Sequence, residues 1–230
     1  MVSAYDELPR TPANFVALSP LRYLDRAAYI YPNQDAIIHG KRRISWRETY
    51  NRCRQFANQL QNLGIGKNDT VSVLLPNVPA MIEAHFAVPM AGAVLNTLNT
   101  RLDAKTLAFM LEHAETKVLL VDPEFTALAT EALALIKQDI YVIDVADAEY
   151  ENASTPIGQV EYEDWIAQGD ANFEWHLPQD EWDAISLSYT SGTTGNPKGV
   201  VYHHRGAYIN AASNIIACGM TPRATYLWTL

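Results

Sequence analysis

Thr190 to Gly195 reads TSGTTG, an unbroken run of serine, threonine and glycine, and Lys198 follows after Asn196 and Pro197. Glycines let backbone N–H groups come close to a ligand. The hydroxyls add donors, and Lys198 adds a compact positive charge. Pro197 narrows the freedom of the chain just ahead of that lysine. Together these are the parts of a loop that grips phosphate. A plain surface loop has a similar composition, so spacing and surroundings must decide.

Spacing removes two common phosphate loops. A Walker loop counted from Gly192 needs glycine at 197, where proline stands, and Lys198 is followed by Gly199 instead of a hydroxyl residue. The dinucleotide pattern G-x-G-x-x-G is also missing, and no helix opens directly from the run, so a helix dipole has less to contribute. GIGKNDT at Gly64–Thr70 follows a helical pattern and precedes a strand, the reverse of what a phosphate loop requires, and reads as a helix stop. His203 and His204 are adjacent, and on a strand neighbours point to opposite faces, so they do not form a metal pair. His203 could lie near a phosphate group, but a structural role is the simpler reading for both. His39, His85, His113 and His176 read as turn, helix-surface or core residues, and Tyr189 and the tryptophans as packing.

The flanking elements place the run at the end of a strand. DAISLSYT alternates Ile185, Leu187 and Tyr189 with serines, as a strand with two unlike faces does. GVVYHH reads as extended, and a helix follows from about Gly206 to Ala217, stopped by Gly219. Upstream, short apolar strands at Thr70–Leu75, Ala93–Thr97 and Lys117–Asp122 alternate with helical patterns. Ser45 with Glu48 predicts a capping box, Pro79 a helix start and Asp103 a helix cap. DAIIHGKRRISW predicts a hairpin turning at Gly40. This alternation predicts an α/β fold, a mainly parallel sheet flanked by helices. Residues 146–180 are acidic and polar, and read as a surface connection with a short helix near Tyr162–Gln168. The final TYLWTL reads as a strand that starts without finishing, so the chain is expected to be a piece of a longer protein.

The chain has 230 residues and a formal net charge of −9. That charge argues against nucleic acid as a partner, since such binding rests on basic surface. Cys53 and Cys218 lack metal-ligand spacing and make no disulfide framework, which suits a reducing compartment, with the cytoplasm as the default. No secretory leader pattern opens the sequence. Its most apolar region, Ala84–Leu95, is too short and too interrupted to span a bilayer.

YTSGTTGNPKGV closely resembles the signature loop of the adenylate-forming ligases, a family of acyl-CoA synthetases, luciferases and peptide-synthetase adenylation domains. The match is unbroken from Tyr189 to Gly199. GIGKNDTVSVLLPN, AVLNTLNTRLDAKTLAFMLEHAETKVLLVD and VVYHHRGAY are similar to the fatty acyl-CoA synthetase branch. The resemblance implies that residues 1–230 are an incomplete N-terminal AMP-binding domain, with the phosphate loop at 189–199 and without the C-terminal domain that carries a catalytic lysine. It implies an ATP-dependent ligase that joins a fatty or related acid to AMP and then to coenzyme A. Thr190, Ser191, Gly192, Thr193, Thr194 and Gly195 would line the triphosphate. Lys198 would reach its terminal end and stabilise the leaving group. Thr190 matches a position that ligates Mg²⁺ in relatives. His204 and Arg205 match a pair that fixes local structure. ATP, Mg²⁺ and coenzyme A would be the small-molecule partners, no tightly bound cofactor is expected, and a homodimer is compatible. The fragment alone is expected to be inactive.

Two other readings stand beside this one. The acid could be aryl, an amino acid or methylthio-propionate, or the chain could be a truncated non-catalytic module. Retention of Lys198 and of the hydroxyls favours the enzyme.

Overall fold

The strand patterns fold into one sheet because most of their residues are apolar on both faces. The computed structural model describes residues 3–147, 149, 155–190 and 196–229. The central strands are β3 (Thr70–Leu74), β4 (Val94–Thr97), β5 (Thr116–Val121), β6 (Tyr141–Asp144) and β8 (Ala184–Thr190), with β7 (Val160–Glu161) and β9 (Lys198–His203) outside them. They form a seven-stranded sheet in the order β7-β6-β5-β3-β4-β8-β9. Every pair is parallel except β8 with β9. The expected mainly parallel α/β fold is the one found.

Successive strand residues feed opposite layers, as a period of two dictates. Val71, Val73, Val118 and Leu120 face one core with Phe56 and Leu60 of α2 (Trp46–Asn62) and Ala84 and Val88 of α3 (Pro79–Met90). Leu74, Leu119 and Val121 face the other core with Leu107 and Leu111 of α4 (Ala104–His113) and Ala129 and Ala132 of α5 (Thr126–Leu133). Each fully buried leucine or phenylalanine contributes about 1.5–3 kcal/mol. α1 (Leu21–Ile30) lays Leu21 and Leu24 on the first core. β1 (Asp35–His39) and β2 (Arg42–Ser45) form the separate antiparallel hairpin expected at Gly40, whose φ of +53° suits glycine.

Local chemistry sets the helix ends. The Ser45 hydroxyl accepts from Glu48 N at 3.2 Å, but among the described residues Glu48 does not return the bond, so half of the capping box forms. Asp103 accepts from Thr106 N at 2.9 Å, and that backbone bond leads the causes holding its pKa below the ordinary value. Pro79 occupies the first turn of α3.

Three expectations need correction. The stretch 146–180 is not only a surface connection: it supplies β7 at the sheet edge, and α6 (Tyr162–Ile166) buries Tyr162, Trp165 and Ile166 in the first core. Asp144 makes this possible by accepting from Ile157 N and Gly158 N at 3.2 and 2.7 Å, which draws the chain alongside β6. TYLWTL forms no strand over its described residues. Trp228 instead packs edge-on against His85 of α3 at 6.2 Å, and its carbonyl accepts from Asn77 Nδ2. The segment lies against a helix, where no strand edge is offered. Finally, α7 (His204–Ala217) begins at His204, two residues before the expected start, because His203 caps it.

Candidate functional site

Parallel pairing carries the end of β8 to the carboxyl edge of the sheet, outside which ligands bind in α/β folds. Thr190 is the last residue of β8, and β9 returns antiparallel from Lys198. The register pairs Thr190 with Lys198 and Tyr189 with Gly199. The two ends of the predicted phosphate loop therefore meet across one hairpin, with a threonine opposite a lysine and both residues exposed. Among the described residues Lys198 makes no ion pair. Ser191, Gly192, Thr193, Thr194 and Gly195 lie outside the described residues.

An exposed cation opposite a hydroxyl, free of carboxylates within reach among the described residues, fits a polyanionic ligand and its counter-ion. A cavity at the C-terminal end of α3 does not compete for this role. About 280 Å³ in volume, it is lined by Lys67, Trp175, Asp183 and His204, at the opposite end of the sheet. Lys67 of the GIGK stretch is engaged there, with its ammonium 2.8 Å from Asp183. Gly64 has a φ of +79°, as a helix stop requires.

His203 and His204 do not join the site. Five strand steps separate His203 from Lys198, roughly 17 Å at the usual rise, which removes His203 from the phosphate end. Its Nδ1 accepts from Gly206 N at 2.9 Å and its ring stacks on Trp182 at 4.1 Å. It is a helix cap. His204 is 3% exposed, and its Nδ1 lies 2.9 Å from Ser19 Oγ. Arg205 reaches Glu181 at 2.5 Å, and Glu181 in turn accepts from Leu18 N at 2.9 Å. Tyr208 stacks on Tyr23 at 4.7 Å. The HHR segment thus fastens residues 18–23 to the hairpin and α7. Nothing local in the sequence marks Ser19, whose partner lies 185 residues away, or Glu181, whose partners lie 163 and 24 residues away.

Burial pushes the pKa of His204 down to about 4, against a smaller upward pull from Asp183. The folded protein therefore holds this imidazole neutral while the unfolded chain protonates it near pH 6.5. Its contribution to stability is present above pH 6.5 and is lost as pH falls from there towards about 4. Melting temperatures of the protein between pH 7 and 4 should fall along that window. A His204→Gln variant should show a shallower slope, and an unchanged slope would remove His204 as its source.

Tyr189 packs against α4, as its place in the strand pattern predicts. It also bonds: its phenol oxygen lies 2.7 Å from Nδ1 of His113.

The family described as AMP-binding enzyme matches residues 24–230. The peroxisomal acetate/butyrate–CoA ligase of Arabidopsis thaliana is 50% identical over 98% of this chain and 42% of its own length. The acetate–CoA ligase of Humulus lupulus is 48% identical over 98% of this chain and 42% of its own. Among solved structures, an anthranilate CoA ligase in complex with anthranoyl-AMP shares the fold at a TM-score of 0.75 and 23% identity, covering 86% of this chain and 37% of that one. The chain spans 42% of the length of these two plant relatives.

Proposed function

From the premise that the chain belongs to the AMP-binding enzyme family, we propose that it is the phosphate-gripping part of an AMP-forming acid–thiol ligase. The single observation that carries this reading is the pairing of Thr190 with Lys198 across the hairpin at the carboxyl edge of the sheet. It supports a loop 189–199 closed around the phosphates of ATP, with Ser191, Gly192, Thr193, Thr194 and Gly195 as further donors.

The reaction needs little acid–base help. A carboxylic acid with a pKa near 4 is already ionised at neutral pH. Its oxygen attacks the α-phosphorus of ATP, a new P–O bond forms, the bond to the bridging oxygen breaks, and pyrophosphate leaves with the electron pair. The difficulty is bringing two anions together and stabilising the departing charge, which aimed donors and cations accomplish. Lys198 would place its ammonium against the departing pyrophosphate, and the loop would orient the chain of phosphates. Mg²⁺, held in part by the Thr190 hydroxyl, would supply charge neutralisation. In the second half-reaction a thiol, coenzyme A, would attack the acyl carbon and AMP would leave. This second step draws on parts of the longer protein.

A fatty or related acid is the proposed substrate. The two plant relatives are acetate/butyrate and acetate ligases, so we put short aliphatic acids first in the test. No helix among the described residues is long and apolar enough to cross a membrane. Free thiols at Cys53 and Cys218 suit a reducing interior, and we keep the cytoplasm as the proposed location. The peroxisome named for the Arabidopsis relative is the alternative that imaging of the tagged protein decides.

ATP–pyrophosphate exchange by the full-length protein tests the reading. Exchange should depend on an added carboxylate and be greatest within a panel running from acetate through longer aliphatic acids. Exchange led by benzoate or an amino acid would move the substrate class. No exchange with any acid, including aryl, amino and methylthio-propionic acids, would remove the enzymatic reading and leave the non-catalytic module.

A further inference from the structure

The phosphate loop hangs from a pair of strand ends that the sheet supports poorly. β4 pairs with β8 only at Ser186, Leu187 and Ser188. Tyr189 and Thr190, with their partners Gly199 and Lys198, run past the end of β4. On the other side β9 is the outermost strand, so the overhang has no second sheet neighbour. Two strands alone hold a fixed geometry poorly in water.

What holds the overhang is a side chain. The Tyr189 hydroxyl lies 2.7 Å from His113 Nδ1 and 3.5 Å from the Met110 carbonyl. Its ring meets the His113 imidazole edge-on at 5.7 Å, and His113 stacks in turn on Phe109 at 5.3 Å. Among the described residues, no other side-chain hydrogen bond leaves the overhang. Gly199 keeps the space open, since a Cβ there would stand 2.9 Å from Leu187 Cδ1 and 3.5 Å from Tyr189 Cε1. Burial raises the phenol pKa above its ordinary value, so the hydroxyl stays protonated at neutral pH.

We propose that Tyr189 and His113 are a positioning pair that fixes the mouth of the phosphate loop on α4, so that ATP affinity depends on their hydrogen bond. This rests on the proposed function. Neither side chain need touch ATP. The bond holds Thr190 and Lys198 in register before the ligand arrives, and so reduces the ordering that binding must otherwise impose.

In the full-length protein, Tyr189→Phe keeps the ring and removes the bond. It should raise the KM for ATP about 3- to 10-fold, the range one hydrogen bond spans, with the KM for the acid unchanged. His113→Leu should do the same, and the double variant should be no worse than either single. His113→Asn, whose amide offers both a donor and an acceptor near the Nδ1 position, should restore most of the affinity. Amide exchange over residues 196–199 should quicken in Tyr189→Phe while β3 and β5 stay protected. An ATP KM within twofold of the parent in Tyr189→Phe overturns the proposal, and so does equal slowing of both half-reactions with a lowered melting temperature. Should the parent protein exchange no pyrophosphate with any acid, the ligase reading fails separately. Amide exchange then judges the Tyr189–His113 tie by itself, and unchanged exchange overturns it.

Discussion

Replacing Lys198 with alanine in the full-length protein is expected to slow acyl-adenylate formation by about 10²–10³-fold, the loss that follows removal of one aimed charge stabiliser. Transfer of the acyl group to the thiol should change little. The asymmetry follows from where charge develops. On the proposed function, the departing pyrophosphate would gather negative charge beside Lys198 in the first half-reaction, whereas in the second the leaving group would be AMP, with pyrophosphate already gone. Lys198 is exposed and, among the described residues, unpaired, so the substitution should leave the melting temperature almost unmoved. Lys198→Arg should recover only part of the rate, because a planar fork does not replace a compact ammonium. Single-turnover measurement of each half-reaction checks this. Equal slowing of both would assign Lys198 a general structural role instead.

How far the sequence exposes such roles depends on the range of the contacts involved. β3 is legible because Val71, Val73 and Leu74 dominate a short run whose five residues are all buried. The caps at Ser45 and Asp103 are legible because donor and acceptor lie three residues apart. The candidate phosphate loop stands out in the sequence because its serine, threonine and glycine residues are consecutive. The short helix α6 is legible as a helix, but its burial is not, since that depends on where Asp144 draws the chain. TYLWTL misleads in the opposite way: its apolar pattern suits a strand, but Trp228 finds a helix face instead. Tyr189 and His113 lie 76 residues apart, and nothing in either neighbourhood names the other. Chemistry written in consecutive residues can be read directly, while the supports that aim it are set by the fold.

The largest expected effect on stability belongs to a charge cluster of this hidden kind. Arg52 sits in α2 among polar residues and looks like an exposed helix charge, yet it lies against Glu83, which is 0% exposed. Arg52 Nε and Nη2 donate to the Glu83 carboxylate at 2.5 and 3.1 Å, and Nη1 and Nη2 donate to Glu163 at 2.7 and 2.8 Å. Tyr162 donates to Glu83 at 2.5 Å. Burial alone would lower the Arg52 pKa, but the bonds from Glu163 and Glu83 outweigh it and raise it. Arg52→Met should strand Glu83 in the core and cost about 3–5 kcal/mol. That corresponds to a fall in melting temperature of roughly 6–20 °C for a domain of this size. Removing the charge from both sides should be gentler. Adding Glu83→Leu to Arg52→Met eliminates the stranded carboxylate, and Tyr162→Phe eliminates the hydroxyl that would then lack its acceptor. The triple variant should therefore recover most of the loss, since an apolar set of similar volume often matches a buried ion pair. Thermal and denaturant unfolding of the three variants distinguish the causes. A single variant costing under about 1 kcal/mol would mean that water reaches Glu83. A triple variant as unstable as the single would mean that shape, and not the uncompensated charge, sets the cost.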